Sequence, residues 1–232
     1  MTVDPYAVLE EEQVRTVLQR LHAEAESQTP RLLWHYLPQI PRMILGRPVN
    51  FHEGSVSGYY ADKYLALEPA QAAYCYLTAR SIQAKQIVEF GSSFGISTIW
   101  LAAAVRANGG GRVIGTELVP EKAEQARRNV SEAGLEDLVE IRTGDALETL
   151  RELPRDVDLL LNDGFPALAL DILKIVAPSM RDGAVVLTDN VGMFRGNYRE
   201  YVEYMRNPAN GVDSMLLPFK SGTEISVRKK AA

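Results

Sequence analysis

The residues able to do chemistry in this chain stand at the ends of short apolar runs. In VEFGSSFGIST, residues 88–98, a glutamate (Glu89) precedes a loop bounded by Gly91 and Gly95, with Ser93 inside it and Ser97 just after. Glycines let a backbone turn sharply and approach a ligand closely. The spacing G-S-S-F-G lacks the middle glycine of the dinucleotide fingerprint G-x-G-x-x-G, and Glu89 adds negative charge where a pyrophosphate would lie. A carboxylate there suits a cationic amino group. Further on, RVIGTELVPEK ends an apolar run at Glu117, placed to accept hydrogen bonds from two ribose hydroxyls, and LVEIRTGDALETL puts Asp145 where it can accept from an adenine amino group or cap a helix. Together these describe a pocket for an adenosine with a positively charged, non-phosphate tail. VDLLLNDGFP and AVVLTDN then bring Asn162, Asp163, Asp189 and Asn190 to two more run ends. Hard oxygen donors of this kind suit Mg²⁺ over a soft metal, although Asp-Gly and Asp-Asn are also ordinary turn formers.

Such a set must be carried by elements that end at one edge. Runs rich in Val, Ile and Leu (QIVEF, RVIGTE, LVEIRTG, VDLLLN, AVVLTD) alternate with helical segments, which predicts an α/β fold with a parallel sheet covered on both faces. The closing runs SMLLPF and TEISVRK, with Lys-Ser-Gly between them, predict an antiparallel hairpin at an edge. Residues 5–27 place Val8, Leu9, Val14, Val17, Leu18 and Leu21 at helical spacing, an apolar stripe in need of a partner, and a linker is expected from Pro30 to Tyr60. Residues 1–65 read as a helical extension with a lid or substrate segment, and 66–232 as the ligand-binding domain. A dimer through the first helix is a working expectation.

Composition narrows the classes. The chain has 232 residues, a net charge of −5 and one cysteine, Cys75. An acidic chain without a basic cluster is not expected to bind nucleic acid. A lone cysteine excludes an internal disulfide and any Cys-based zinc site. No apolar run reaches a membrane span and the start lacks a basic-then-apolar leader, so no membrane partner and a cytoplasmic location are expected.

The segments EPAQAAYCYLTAR, VEFGSSFGISTIWLA, VIGTELVPEKAEQARRNVSEAGL, GDALETLREL, LTDN and GTEISVRK make the chain similar to the class I S-adenosylmethionine-dependent methyltransferases. Among these it resembles most the catechol and caffeoyl-coenzyme A O-methyltransferases. The resemblance covers about Leu67 to Lys229. It implies a Rossmann-like fold with strand order 3-2-1-4-5-7-6 and strand 7 antiparallel. It also implies that Glu89 and Gly91 line the methionine portion of S-adenosylmethionine, with Ser97 near its carboxylate, Glu117 at the ribose and Asp145 near the adenine. Asp163, Asp189 and Asn190 match the residues that hold a divalent cation, which in the family chelates adjacent hydroxyls of a small aromatic acceptor. The family lysine three residues after the first metal aspartate is Pro166 here, so Asp163 itself, a metal-bound hydroxide or His52 would have to take the acceptor's proton. His22 reads as a surface or interface residue and His35 as packing. Trp34, Tyr59, Tyr60, Phe165, Met193 and Phe194 are candidates for an acceptor pocket. Metal-free transfer to oxygen or nitrogen, a nicotinamide-dependent oxidoreductase and a non-catalytic adenosine-ligand module are the alternatives.

Overall fold

A computed structural model describes residues 4–51 and 58–230, except the side chains of 31 and 33. Seven strands form one sheet: β1 (Gln86–Phe90), β2 (Arg112–Glu117), β3 (Val139–Thr143), β4 (Val157–Asn162), β5 (Met180–Thr188), β6 (Val212–Leu217) and β7 (Thr223–Arg228). Their order is β3-β2-β1-β4-β5-β7-β6, parallel except that β7 runs antiparallel to β5 and β6. This is the expected topology, including the edge hairpin. Side chains alternate across the sheet with a period of two. Ile87, Val113, Leu159, Leu161, Val185 and Leu187 join one core, and Val88, Phe90, Ile114, Leu160 and Val186 the other.

The first core is covered by α1 (Glu12–Tyr36), α3 (Pro69–Ser81), α4 (Ile96–Ala107) and α5 (Pro120–Glu132); α7 (Ala169–Val176) and α8 (Arg199–Met205) cover the second. The apolar stripe of α1 finds its partner inside the chain: Val14, Val17, Leu18 and Leu21 are buried in the same core as Trp100 of α4. That stripe therefore offers no face to a second copy. The first half of the expected linker, Pro30 to Ile44, is helical instead. The helix carries Pro30 within it, continues to Tyr36 and, after a 3-10 turn, leads into α2 (Ile40–Ile44). A proline inside a helix removes one hydrogen bond. Here the cost is met by anchors on both sides, the buried stripe before it and Tyr36 and Met43, packed on the second core, after it.

His22 is likewise not a surface residue. It is 7% exposed, and its Nε2 accepts the indole N–H of Trp100 at 3.3 Å. Burial lowers its pKa to about 4. No helix among the described residues is long and apolar enough to cross a membrane.

Candidate active site

The sheet reverses its winding between β1 and β4, the place where open α/β sheets bind ligands beyond the carboxyl ends of their strands. Register fixes what meets there: Phe90 lies opposite both Thr116 and Asn162, and Asn162 opposite Thr188. Glu89, Glu117, Asp163 and Asp189 therefore arrive at one edge.

The glycine loop is shaped by contact. The amide of Asp163 donates to the carbonyl of Phe90 at 3.0 Å. Gly91 has φ +95°, and a Cβ there would lie 2.6 Å from the Asp163 carbonyl oxygen. Only glycine permits this approach, which seats the end of β4 against the loop. Gly95, with φ +83°, starts α4, and Ser93 is a non-glycine residue at φ +48°.

Glu89 is fully buried, and its Oε2 accepts hydrogen bonds from Ser92 Oγ (2.6 Å) and Thr98 Oγ1. Its Oε1 is buried without a partner among the described residues. Burial raises its pKa, against the hydroxyls of Ser92, Ser97 and Thr98. A buried carboxylate oxygen without a partner is short of a hydrogen-bond donor, a need that the ammonium group of an amino-acid tail would meet. Ser97 lies buried in the first turn of α4 beside it. Glu117 is held by two backbone amides, Ser93 N–H to Oε2 at 2.9 Å and Val119 N–H to Oε1 at 2.8 Å. Each oxygen keeps a lone pair, which suits a pair of ribose hydroxyls. Asp145 is exposed and caps the short helix α6 (Ala146–Thr149) by accepting from Leu147 N–H at 2.9 Å. The capping role is thus present. The residue also stands beside Glu117, because Gly144 N–H donates to the Glu117 carbonyl.

Asp163 is half-buried, and its carboxylate accepts no hydrogen bond among the described residues. Its pKa stands well above the ordinary carboxylate range, through burial first and then the negative charges of Asp189 and Glu89. Asp189 is buried and tightly held. Its Oδ1 accepts from Gln71 and from Ser221 Oγ (2.8 Å), and its Oδ2 from the side-chain amide of Asn190 (2.7 Å). Asn190 sits at φ +62°, which turns that amide onto its neighbour. No group of three or more His, Cys, Asp or Glu side chains among the described residues could hold a metal. What stands at the edge is two carboxylates and an amide. Asp189 Oδ2 retains a lone pair, the Asn190 amide oxygen is a third donor, and nothing basic acts on Asp163. All three are hard oxygen donors, the ligand type that a divalent cation such as Mg²⁺ takes.

Of the proposed aromatic residues, Phe165 and Phe194 come together around Phe51, with ring centroids 5.0 and 5.2 Å away, and Tyr36 lies 5.8 Å from Phe194. Trp34 does not belong to them, since it is 74% exposed. His35 is exposed and stacked on Tyr59 at 3.8 Å. Pro166 opens a 3-10 turn where the family lysine would stand. His52 lies outside the described residues. The chain just before Phe51 is tied to the segment between β5 and α8. Asn197 clamps Val49, accepting its N–H at 2.8 Å and donating to its carbonyl at 3.0 Å. Sequence reasoning missed Gln71, Ser221, Ser92 and Thr98 as supports of the carboxylates, and Asn197 as the clamp. Thr98 and Ser92 adjoin the loop motif and could have been proposed from it; the others carry no local signal.

Residues 88–191 match a family described as a methyltransferase domain. The chain is 34% identical to a catechol O-methyltransferase of Niastella koreensis, over 55% of this chain and 58% of that one. It is 38% identical to a catechol O-methyltransferase of Mycobacterium tuberculosis, over 55% and 57%. The matches thus span a little over half the length of these relatives. The O-methyltransferase from Bacillus cereus, solved in complex with SAH, superposes with a TM-score of 0.66 at 25% identity, covering 78% of this chain and 93% of that one. Residues 88–191 of this chain thus match the methyltransferase domain family, in a Rossmann-like fold shared with solved methyltransferases, and the chain is similar to the catechol O-methyltransferases.

Proposed function

We propose that this protein transfers the methyl group of S-adenosylmethionine to an oxygen of a small, aromatic, hydroxylated acceptor, with a divalent cation held by Asp163, Asp189 and Asn190. The observation that carries the reading is the buried, partnerless Oε1 of Glu89 beside two further carboxylates. Such a cluster is costly when empty and becomes favourable when cations fill it. The sulfonium and ammonium groups of the cofactor and the metal are the cations that fit.

In this reading Glu89 binds the ammonium group, Ser97 and the start of α4 face the carboxylate of the tail, Glu117 holds the ribose, and Asp145 stands near the adenine. Gly91, Ser93 and Gly95 shape the backbone against the cofactor. The cofactor supplies an electrophilic methyl group, and a bound Mg²⁺ supplies a Lewis acid that lowers the pKa of an acceptor hydroxyl. Phe51, Phe165 and Phe194 hold the acceptor ring, so that its oxygen is presented in line with the methyl, which is catalysis by positioning. With Pro166 in place of the lysine, Asp163 or His52 takes the proton. Relatives bearing the name catechol O-methyltransferase support an acceptor with two adjacent hydroxyls.

The test is a transfer assay with labelled S-adenosylmethionine against vicinal diols and their mono-hydroxyl analogues, with and without chelator, alongside Mn²⁺ titration followed by electron paramagnetic resonance. Transfer to diols that is lost with chelator, and one Mn²⁺ site that Asp163→Ala abolishes, are expected. Transfer unaffected by chelator would refute the metal and direct the reading to metal-free methylation, with Asp163 orienting the acceptor, since Asn162 is buried and donates to the Ala169 carbonyl. No S-adenosylhomocysteine binding at all would refute the reading itself.

A further inference from the structure

The end of α1, the following 3-10 turn and α2 form one nearly continuous helical run with two apolar faces. One face looks inward, where Tyr36 and Met43 pack on the second core. The other carries Trp34, Leu37, Pro38, Pro41, Ile44 and Leu45, spaced i, i+3, i+4, i+7, i+10 and i+11, which at 3.6 residues per turn places them along a single stripe. All six are exposed: Trp34 by 74%, Ile44 by 80% and Leu45 by 65%. A helix apolar on both faces is normally covered on both.

Charge identifies the cover. From residue 27 to residue 52 the sequence has no Asp or Glu and three arginines, Arg31, Arg42 and Arg47, in a chain of net charge −5. Arg42 and Arg47 are exposed, and neither forms an ion pair among the described residues. A second copy joined face to face through this run would bring arginines against arginines with no acid to offset them. An acidic surface does not. Side chains exposed to this degree stand on a convex ridge, which suits a deformable surface better than a shaped pocket. Apolar residues including tryptophan, flanked by arginines on a short helix, are what lies in the plane of an anionic bilayer interface.

We propose that residues 34–47 dock on an anionic lipid surface, with Trp34, Leu37, Ile44 and Leu45 inserted at the headgroup level and Arg42 and Arg47 facing the lipid phosphates. This is peripheral docking without a membrane span among the described residues, and it departs from the sequence expectation of no membrane partner, which rested on the lack of a span. Since Tyr36 on the inner face touches Phe194, the docked surface would lie beside the aromatic cluster.

The chain reports on this itself, because its two tryptophans are Trp34 and the fully buried Trp100. The experiment adds vesicles of phosphatidylcholine, with or without phosphatidylglycerol, to the full chain and follows tryptophan emission and co-sedimentation. With phosphatidylglycerol, a blue shift and salt-sensitive sedimentation are expected; Trp34→Phe should abolish the shift while keeping sedimentation. Arg42→Gln and Arg47→Gln should each weaken binding about fivefold, and the pair Ile44→Ser and Leu45→Ser should abolish it. Circular dichroism checks that these surface variants are folded. Absence of sedimentation with anionic vesicles at low salt would overturn the proposal. So would equal binding by the Ile44→Ser, Leu45→Ser variant, or a dimer in light scattering that the same two substitutions dissociate, which would assign the ridge to a second copy.

Discussion

Acidification should loosen the attachment of α1, and His22 sets the size of the effect. Its imidazole is buried between α1 and α4, with Tyr6 edge-on at 5.8 Å, and its Nε2 accepts from Trp100. A proton on Nε2 would set one N–H against another and place a charge in the core. Its folded pKa is lowered from 6.5 to about 4 by burial. The unfolded chain therefore binds the proton first, and stability fully present above about pH 6.5 is lost as the pH falls toward about 4. Linkage for that shift gives a loss of roughly 2 kcal/mol between about pH 7.5 and pH 5, approaching about 3 kcal/mol below pH 4. For a chain of this length that corresponds to a fall in Tm of about 4–8 °C. The assay is thermal and denaturant unfolding at both pH values, for wild type and for His22→Gln, whose amide oxygen can still accept from Trp100. Carboxylates contribute to both proteins, so the difference between the two pH profiles isolates the histidine. A His22→Gln profile parallel to that of wild type would refute the reasoning.

Three further outcomes follow from the site. Glu89→Gln removes the buried negative charge while keeping its shape, so binding of S-adenosylhomocysteine should weaken at least about tenfold in calorimetry without loss of thermal stability of the free protein; unchanged affinity would remove Glu89 from the cofactor site. Gln71→Leu withdraws one of the donors that orient Asp189, and Mn²⁺ affinity should fall about 10–100-fold while cofactor affinity is kept; a loss of both in parallel would show that Gln71 merely supports the fold. Asn197→Ala breaks both bonds to Val49, so KM for the acceptor should rise with kcat nearly unchanged and stability should fall by about 1–3 kcal/mol; unchanged KM would mean that the clamped segment does not bound the acceptor pocket.

Much of the molecule is written locally. Each strand, the glycine loop and the acid at each strand end are short contiguous patterns, because strand periodicity, turn geometry and the position of a residue at a strand's end depend on immediate neighbours. From them the sequence alone determines the α/β class and the arrival of Glu89, Glu117, Asp163 and Asp189 at one edge of the sheet. What only the tertiary structure decided is how those carboxylates are held and what covers them. Gln71 meets Asp189 across 118 residues, Trp100 meets His22 across 78, and Asn197 clamps Val49 across 148. Such pairings arise from how helices pack on the sheet, and no window of sequence contains both partners. The same reason explains the two N-terminal corrections. Proline marks a break only while local hydrogen bonding decides, and packing on either side of Pro30 overrides it. Likewise, a histidine one position after a buried leucine reads as surface until α4 closes over it.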